Sequence, residues 1–436
     1  MYKTRRKYKK KSIKHKRRNT RTLVRRRRTH ARFFGRGGGG VNVQSEWNRF
    51  IHFGCWNDRL IGHSTESIPL TDRDNEDKIN LVKVSKLLRQ KIDENHFDFV
   101  IVAGDNYYNK EGKEKKDKKD KTDKSEKKEK GKKKEKKKIF DINKLNYGFD
   151  LIKENTSNLP IYMLWGNHEF DKTIIPEDVE PIASCNIIEN QLRLINENRD
   201  KIRIDYAIDV EKPIQHLLID NGKTLILMVD STMFEEKYEK YLDCYKTLYA
   251  SPNATIDEII NIQNQRLALL IDELRNTGQI QNVIIEAHHP ICIYKNNKEE
   301  DCNVFEYNEK LLHFVLHNVI DGFNIPTIKY FHLCADLHLF QTGTITVVSG
   351  VQPYEITQYI SGTGGAKFDF MNENGLDCEE TNRGVFEEIE QTHGIQMNYN
   401  ITEPSRAENG FLDCSSVNGD FVAQFISVDE INDYTM

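Results

Sequence analysis

The chain has 436 residues, 38% of them apolar, which is enough to bury one large core or two moderate ones. Its formal net charge of −3 averages two opposites, because residues 1–36 carry 18 of the 64 Lys and Arg and no acidic residue, which leaves the rest of the chain acidic. No apolar window is long enough to span a bilayer and no apolar run follows the basic start, so neither a membrane span nor a secretory signal is expected and an intracellular location is.

Residues 1–40 mix Lys and Arg with few aliphatics and end in Gly37-Gly38-Gly39-Gly40, the composition of a disordered tail joined by a flexible linker. Such a tail suits nucleic acid or another polyanion, since each neutralised phosphate releases a counterion, against the plainer reading of a solubilising or localisation segment that touches nothing specific; its composition is compatible with a nuclear or viral setting. The first strand is expected at Phe50 to Phe53, a helix over 78–94, and a second strand at FDFVIVA, Phe97 to Ala103. Residues 110–138 alternate 17 Lys with 8 acidic residues and contain no Arg, which reads as a solvated, disordered insertion without chemistry.

Further short apolar runs follow at IYML (161–164), TLILMV (224–229), NVIIEA (282–287), YFHLCA (330–335) and TITVVS (344–349). A helix over 256–275 should bury Ile262, Leu267, Leu270, Ile271 and Leu274. DFVAQFISV (420–428) is a last strand, expected to complete the second of two sheets. Strands alternating with helices predict an α/β fold, and 41–436 is expected to form one domain. The eight cysteines are scattered without a CxxC pair, so reduced thiols are expected.

Sheets of this class place ligands at the loops beyond the carboxyl ends of their strands, and five such loops are rich in metal-ligand residue types. They are Gly54-Cys55-Trp56-Asn57-Asp58, Gly104-Asp105-Asn106-Tyr107-Tyr108, Gly166-Asn167-His168-Glu169, His288-His289-Pro290 and Asp336-Leu337-His338. Each has an ordinary reading by itself: Gly-Asp is a common turn and a lone His is more often a core residue than a ligand. Together they supply the carboxylate, imidazole, amide and phenol groups that hold two divalent metals for phosphoryl transfer to water.

In order and spacing these motifs resemble the calcineurin-like metallophosphoesterases, and GDNYY is similar to the version found in purple acid phosphatases. The resemblance covers about residues 47–370. It implies a two-sheet β-sandwich flanked by helices, a phosphoester substrate, and two divalent metal ions, Zn, Mn or Fe. By the same resemblance Asp105 bridges the metals, Tyr108 and His338 bind the first, and Asn167 and His288 bind the second. His168 lies outside the coordination shell and protonates or orients the leaving oxygen, with Glu169 helping to hold it. His289 has no implied role.

Two positions depart from that pattern. Cys55 stands where the family has a first-metal aspartate, and Asp336 where it has a second-metal histidine. Both can still ligate: a thiolate favours Zn or ferrous iron, and a carboxylate hardens the second site toward Mn or Mg. Asp58 could substitute for Cys55 through a loop shift. The alternative to an active hydrolase is a catalytically inactive binding or structural module, anchored to nucleic acid by its basic tail.

Overall fold

A computed structural model of the chain describes residues 46–61, 73–108, 110–111, 138–171, 185–197, 204–206, 214–235, 241–248, 253, 255–275, 277–297, 302–349, 352–369 and 378–429. The basic segment 1–40 and nearly all of 110–138 lie outside these residues. The insertion leaves and re-enters through a short antiparallel ladder that pairs Lys110 with Ile139 and Glu111 with Lys138.

Two mixed sheets form the core. The first holds β1 (Arg49–Phe53), β2 (Phe99–Ala103), β3 (Ile161–Leu164) and β4 (Ile204–Tyr206) in parallel, extended beyond β1 by two strands from the C-terminal region. The second contains β5 (Ile214–Ile219), β6 (Thr224–Val229), β7 (Asn282–Glu286), β10 (Lys329–Cys334), β11 (Phe340–Ser349), β12 (Gln352–Ser361) and β13 (Gln396–Arg406), while β8 (Cys292–Asn297) and β9 (Cys302–Tyr307) form a separate two-stranded antiparallel ladder. Its order is β13-β11-β12-β10-β7-β6-β5, with β6, β7, β10 and β12 parallel. β14 (Gly410–Val417) pairs antiparallel with β1, and β15 (Asp420–Ser427) pairs with β14.

The central strands are continuous β-branched and aromatic runs because both of their faces are covered. All five residues of β2 and all six of β6 are buried. The inner faces of the sheets meet through Phe331 against Phe421 and Phe340 against Phe425, with ring centroids 4.7 and 4.5 Å apart. One buried polar pair also crosses between them, His52 Nδ1 to Glu286 at 2.9 Å. Helices α1 (Asn80–Glu94), α2 (Ile142–Asn155), α3 (Asn186–Glu197), α4 (Leu242–Leu248) and α5 (Ile256–Arg275) flank this core. α6 begins at Glu309–His313, continues as a π-helix over Phe314–Ile320 and ends in Asp321–Phe323; α7 spans Glu379–His393. This is the expected α/β arrangement of two sheets flanked by helices.

Three expectations are corrected. In α5 Ile262 is 40% exposed, and the buried stripe is Ile256, Ile259, Gln263, Leu267, Ile271 and Leu274. Gln263 takes an inner place because its Oε1 accepts the Asp230 N–H. β15 lies on the edge of the first sheet rather than the second, since β14 pairs with β1 and carries β15 with it. Finally, four cysteines are not free thiols: Cys185 pairs with Cys244 and Cys302 with Cys378. Pairing across 59 and 76 residues depends on where the fold brings the chains, which spacing along the sequence does not reveal. Among the described residues no helix is long and apolar enough to cross a membrane.

Candidate metal centre

Five loops converge at the carboxyl ends of β1, β2, β3, β7 and β10. Three of their residues adopt left-handed backbone although none is glycine: Cys55 (φ 53°), Asp105 (φ 52°) and Asp336 (φ 50°). Such a conformation costs about 1–2 kcal/mol per residue and persists only where the surroundings enforce it. Here the loops are laced together: Cys55 N donates to Gly104 O, Ala335 N to His288 O, and Gly54 N to Ser361 O. Gly166 is required by close approach. A Cβ there would run into the Asp105 carboxylate and come within 2.7 Å of His288 Nε2.

Asp105 stands at the centre, with its side chain buried. Its Oδ2 accepts the Tyr108 hydroxyl at 3.0 Å and lies 3.9 Å from Cys55 Sγ. Its Oδ1 accepts His168 N–H at 3.1 Å and lies 3.4 Å from His288 Nε2. The Tyr108 hydroxyl also meets His338 Nε2 at 3.0 Å. His338 Nδ1 sits 2.6 Å from the Lys367 carbonyl, which can only accept, so in the neutral ring Nε2 carries the lone pair that faces Tyr108. Cys55, Asp105 and His338 thus form one partial metal-ligand cluster.

The other side is organised by the same rule. His288 Nδ1 must donate to the Ala103 carbonyl at 2.7 Å, which turns Nε2 toward Asp105 Oδ1 and, at 3.5 Å, Asp336 Oδ1. Among the described residues neither Nε2 nor the buried Asn167 Oδ1 has a hydrogen-bond partner. The Asn167 oxygen, the His288 ring in its neutral form and the Asp336 carboxylate are what a divalent cation would satisfy. Without one, desolvation of His288 is outweighed by Asp105 and Asp336, and its pKa is raised to about 10. Burial opposes ionisation of Asp336, but His288 together with His289 and His338 holds it below the usual carboxylate range. Burial and the Asp105 charge push the Cys55 thiol and the Tyr108 phenol well up. Such a concentration of acidic groups is reversed by the charge of a bound metal.

His288, His289 and Asp336 form the second partial cluster. The two nitrogens of His289, however, are engaged: Nδ1 lies 2.9 Å from Ser231 Oγ and Nε2 2.6 Å from Glu235 Oε1. Glu235 Oε1 also accepts Asn167 Nδ2 at 3.0 Å, which aims the Asn167 amide. Burial opposes ionisation of Glu235, yet His289 and Asn167 bring its pKa below its ordinary value.

His168 is partly exposed, with Nε2 3.9 Å from Asp105 Oδ2 and Nδ1 3.0 Å from Asp171 Oδ2. It lines a cleft of about 720 Å³ together with Asn167, Asp171, Glu235, His289 and Asp336. Glu169 does not hold the His168 side chain. It is fully buried, and its Oε2 accepts Gly166 N–H at 2.6 Å and Asp105 N–H at 3.1 Å. Desolvation and the Asp105 charge raise its pKa to about 8. The reason is local geometry: Asn167–Phe170 is a 3₁₀ turn, in which adjacent side chains diverge by a third of a turn while residues three apart align. His168 and Asp171 are three apart. Asp58 takes no part near Asp105; its carboxylate meets Lys144 Nζ at 3.0 Å.

Sequence reasoning missed Asp171 and Glu235, and marked Ser231 only within Asp230-Ser231-Thr232 at a strand end, a secondary match to the family pattern, without a role. The i+3 spacing of Asp171 was a usable signal, whereas Glu235 and Ser231 reach the site only through the packing of β6 against β7.

A family model described as calcineurin-like phosphoesterase matches residues 49–317. Among solved structures the chain is similar to a purple acid phosphatase isolated from yellow lupin (Lupinus luteus) seeds, at 12% identity and a TM-score of 0.45, over 89% of this chain and 52% of that one. It is similar to PhoD at 11% identity and a TM-score of 0.45, over 89% of this chain and 70% of that one. The chain therefore spans about half the length of the lupin protein. No curated protein matches it. With more than half of the sequence covered by that model, the chain belongs to the calcineurin-like phosphoesterase family.

Proposed function

We propose that the chain hydrolyses a phosphoester at two divalent metal ions that share the Asp105 carboxylate. The observation that carries this reading is the division of that carboxylate, one oxygen facing Tyr108 and Cys55 and the other facing His288. Cys55, Tyr108 and His338 would hold the first ion, and Asn167, His288 and Asp336 the second. The orphaned Asn167 Oδ1 and His288 Nε2 fit a cation, and the donor set suits Zn, Mn or Fe. Such ions, when bound, neutralise phosphoryl oxygens and lower the pKa of water.

The remaining work falls to side chains of the chain itself. His168, held by Asp171 at the cleft, hands a proton to the leaving oxygen from Nε2. Glu169 is a positioning residue that ties the Gly166 loop to the Asp105 backbone. The cleft wall carries Asp171, Glu235, Glu306, Glu309 and Glu388 against Lys310, so attraction for an anionic substrate must come from the metal centre rather than the wall. Residues 1–36 are the proposed contact for a polyanion such as nucleic acid. The two disulfides fit an oxidising compartment better than a reducing one, which weighs against the intracellular location expected from the sequence.

The test is hydrolysis of p-nitrophenyl phosphate and its bis-ester by the chain loaded separately with Zn, Mn and Fe, beside metal analysis. Asp105→Asn should abolish turnover, and His168→Ala should lower kcat by roughly 10²- to 10⁴-fold with metal content retained. Turnover unchanged in Asp105→Asn would refute the mechanism. No turnover with any metal would favour the non-catalytic module, a reading that the altered positions Cys55 and Asp336 support.

A further inference from the structure

A second group of metal-ligand side chains lies outside this centre and plays no part in the proposed reaction. On α6, Glu309, His313, His317 and Asp321 recur every fourth residue. An α-helix alone would carry such a row gradually around its axis, but the π-helical stretch Phe314–Ile320, with its wider i→i+5 winding, keeps every fourth residue close to one face. The last residue of α7, His393, packs against this row. His313 Nε2 and His393 Nδ1 meet at 3.1 Å, with ring centroids 4.7 Å apart at 74°. His393 Nε2 lies 3.6 Å from Glu309 Oε1. One donor atom each from Glu309, His313 and His393 falls within 4.8 Å of the others.

We propose that Glu309, His313 and His393 form a separate site for a divalent metal ion such as zinc, which fastens the C-terminal end of α7 to α6. Two imidazole nitrogens facing each other can share one proton or bind one ion. Ligands at about 2.0–2.1 Å from a tetrahedral zinc stand about 3.3 Å apart, near the 3.1 Å between His313 Nε2 and His393 Nδ1, and a Glu309 oxygen lies within 4.8 Å of a donor atom on each ring. Glu309 is 57% exposed, so its carboxylate can turn to close the remaining distance. His317 is the nearest candidate for a fourth ligand: its ring centroid is 5.3 Å from that of His313, and its Nδ1 lies 3.0 Å from Asp321 Oδ2. A carboxylate on the far nitrogen is the usual support of a metal-bound histidine.

The site has a mechanical role. α7 begins directly after Cys378, which the disulfide to Cys302 ties to the start of β9, so a metal at His393 would fasten its other end. Glu309, Lys310 and Glu388 line the cleft, which makes this pair of helices part of the cleft wall. The site stands independently of whether the Asp105 centre is active.

The full chain, stripped with a chelator, is reloaded with zinc, dialysed and assayed for bound metal. His313→Ala and His393→Ala should each retain one zinc fewer per chain than the parent, and an unchanged zinc content in both would overturn the proposal. In case either variant misfolds, the parent chain is treated with diethyl pyrocarbonate and the modified histidines are mapped by peptide mass. Zinc at ten times its Kd should slow modification of His313 and His393 roughly tenfold while sparing the exposed His96. Equal modification of His313 and His393 with and without zinc would refute the site.

Discussion

Replacing Glu169 separates its positioning role from any contribution by its charge. Its Oε2 is the acceptor for two buried N–H groups, those of Gly166 and Asp105, which belong to different loops. Glu169→Ala removes that acceptor from both. An unsatisfied buried donor costs about 1–3 kcal/mol, so the loss should reach about 2–6 kcal/mol, a large share of the stability of an ordinary domain. Glu169→Gln keeps a carbonyl oxygen in the same place and removes only the capacity to ionise. Its new NH₂ would face Gln191 Nε2, which lies 3.4 Å from Glu169 Oε1, and a flip of the Gln191 amide presents an acceptor instead. Glu169→Gln should therefore stay within about 1 kcal/mol of the parent, the net worth of an ordinary hydrogen bond. Urea unfolding followed by far-UV circular dichroism gives both differences. If Glu169→Ala unfolds at the parent's midpoint, or if the Gln variant is as unstable as the Ala variant, the backbone-clamp argument fails.

The disulfide between Cys302 and Cys378 closes a span of 76 residues, so Cys302→Ser with Cys378→Ser should cost about 2–5 kcal/mol, read as a lower urea midpoint that reducing agent shifts less than the parent's, because only Cys185–Cys244 is left to reduce. A second measurement concerns acid. His332 is fully buried between the carbonyls of Ile285 and His289, and burial lowers its pKa to about 4 despite those acceptors. The unfolded chain therefore takes up this proton first as pH falls below about 6.5, and stability is lost between about 6.5 and 4, by about 3 kcal/mol in all. His332→Gln should flatten that part of the stability profile relative to the parent; parallel profiles would show that His332 does not titrate as described.

The family pattern was readable because candidate ligands follow apolar strands within three residues: Asp105 after β2, Asn167 after β3, His288 after β7. A run such as FVIVA reports burial on both faces through its residue types alone, and the turn that ends it is marked by glycine. Local rules also misled. Glu169 adjoins His168 in the chain, yet the 3₁₀ turn sends the two side chains apart, and Asp171 is the residue aligned with His168. Ile262 looked like a core position of α5, but Gln263 is buried because the Asp230 backbone needs its carbonyl oxygen.

By itself, the sequence determined the alternation of strands and helices, the end of the sheets at which the site lies, and most of the residues that gather there, because residue type and spacing record burial and turn geometry within a few positions. Only the tertiary structure decided what depends on distant partners. It joined Cys185 to Cys244 and Cys302 to Cys378, inserted β14 between β1 and β15, brought Glu235 to His289 and Asn167, and set His393 beside His313. Those pairings arise from how helices and sheets pack, and packing joins residues that nothing in their separation along the chain connects.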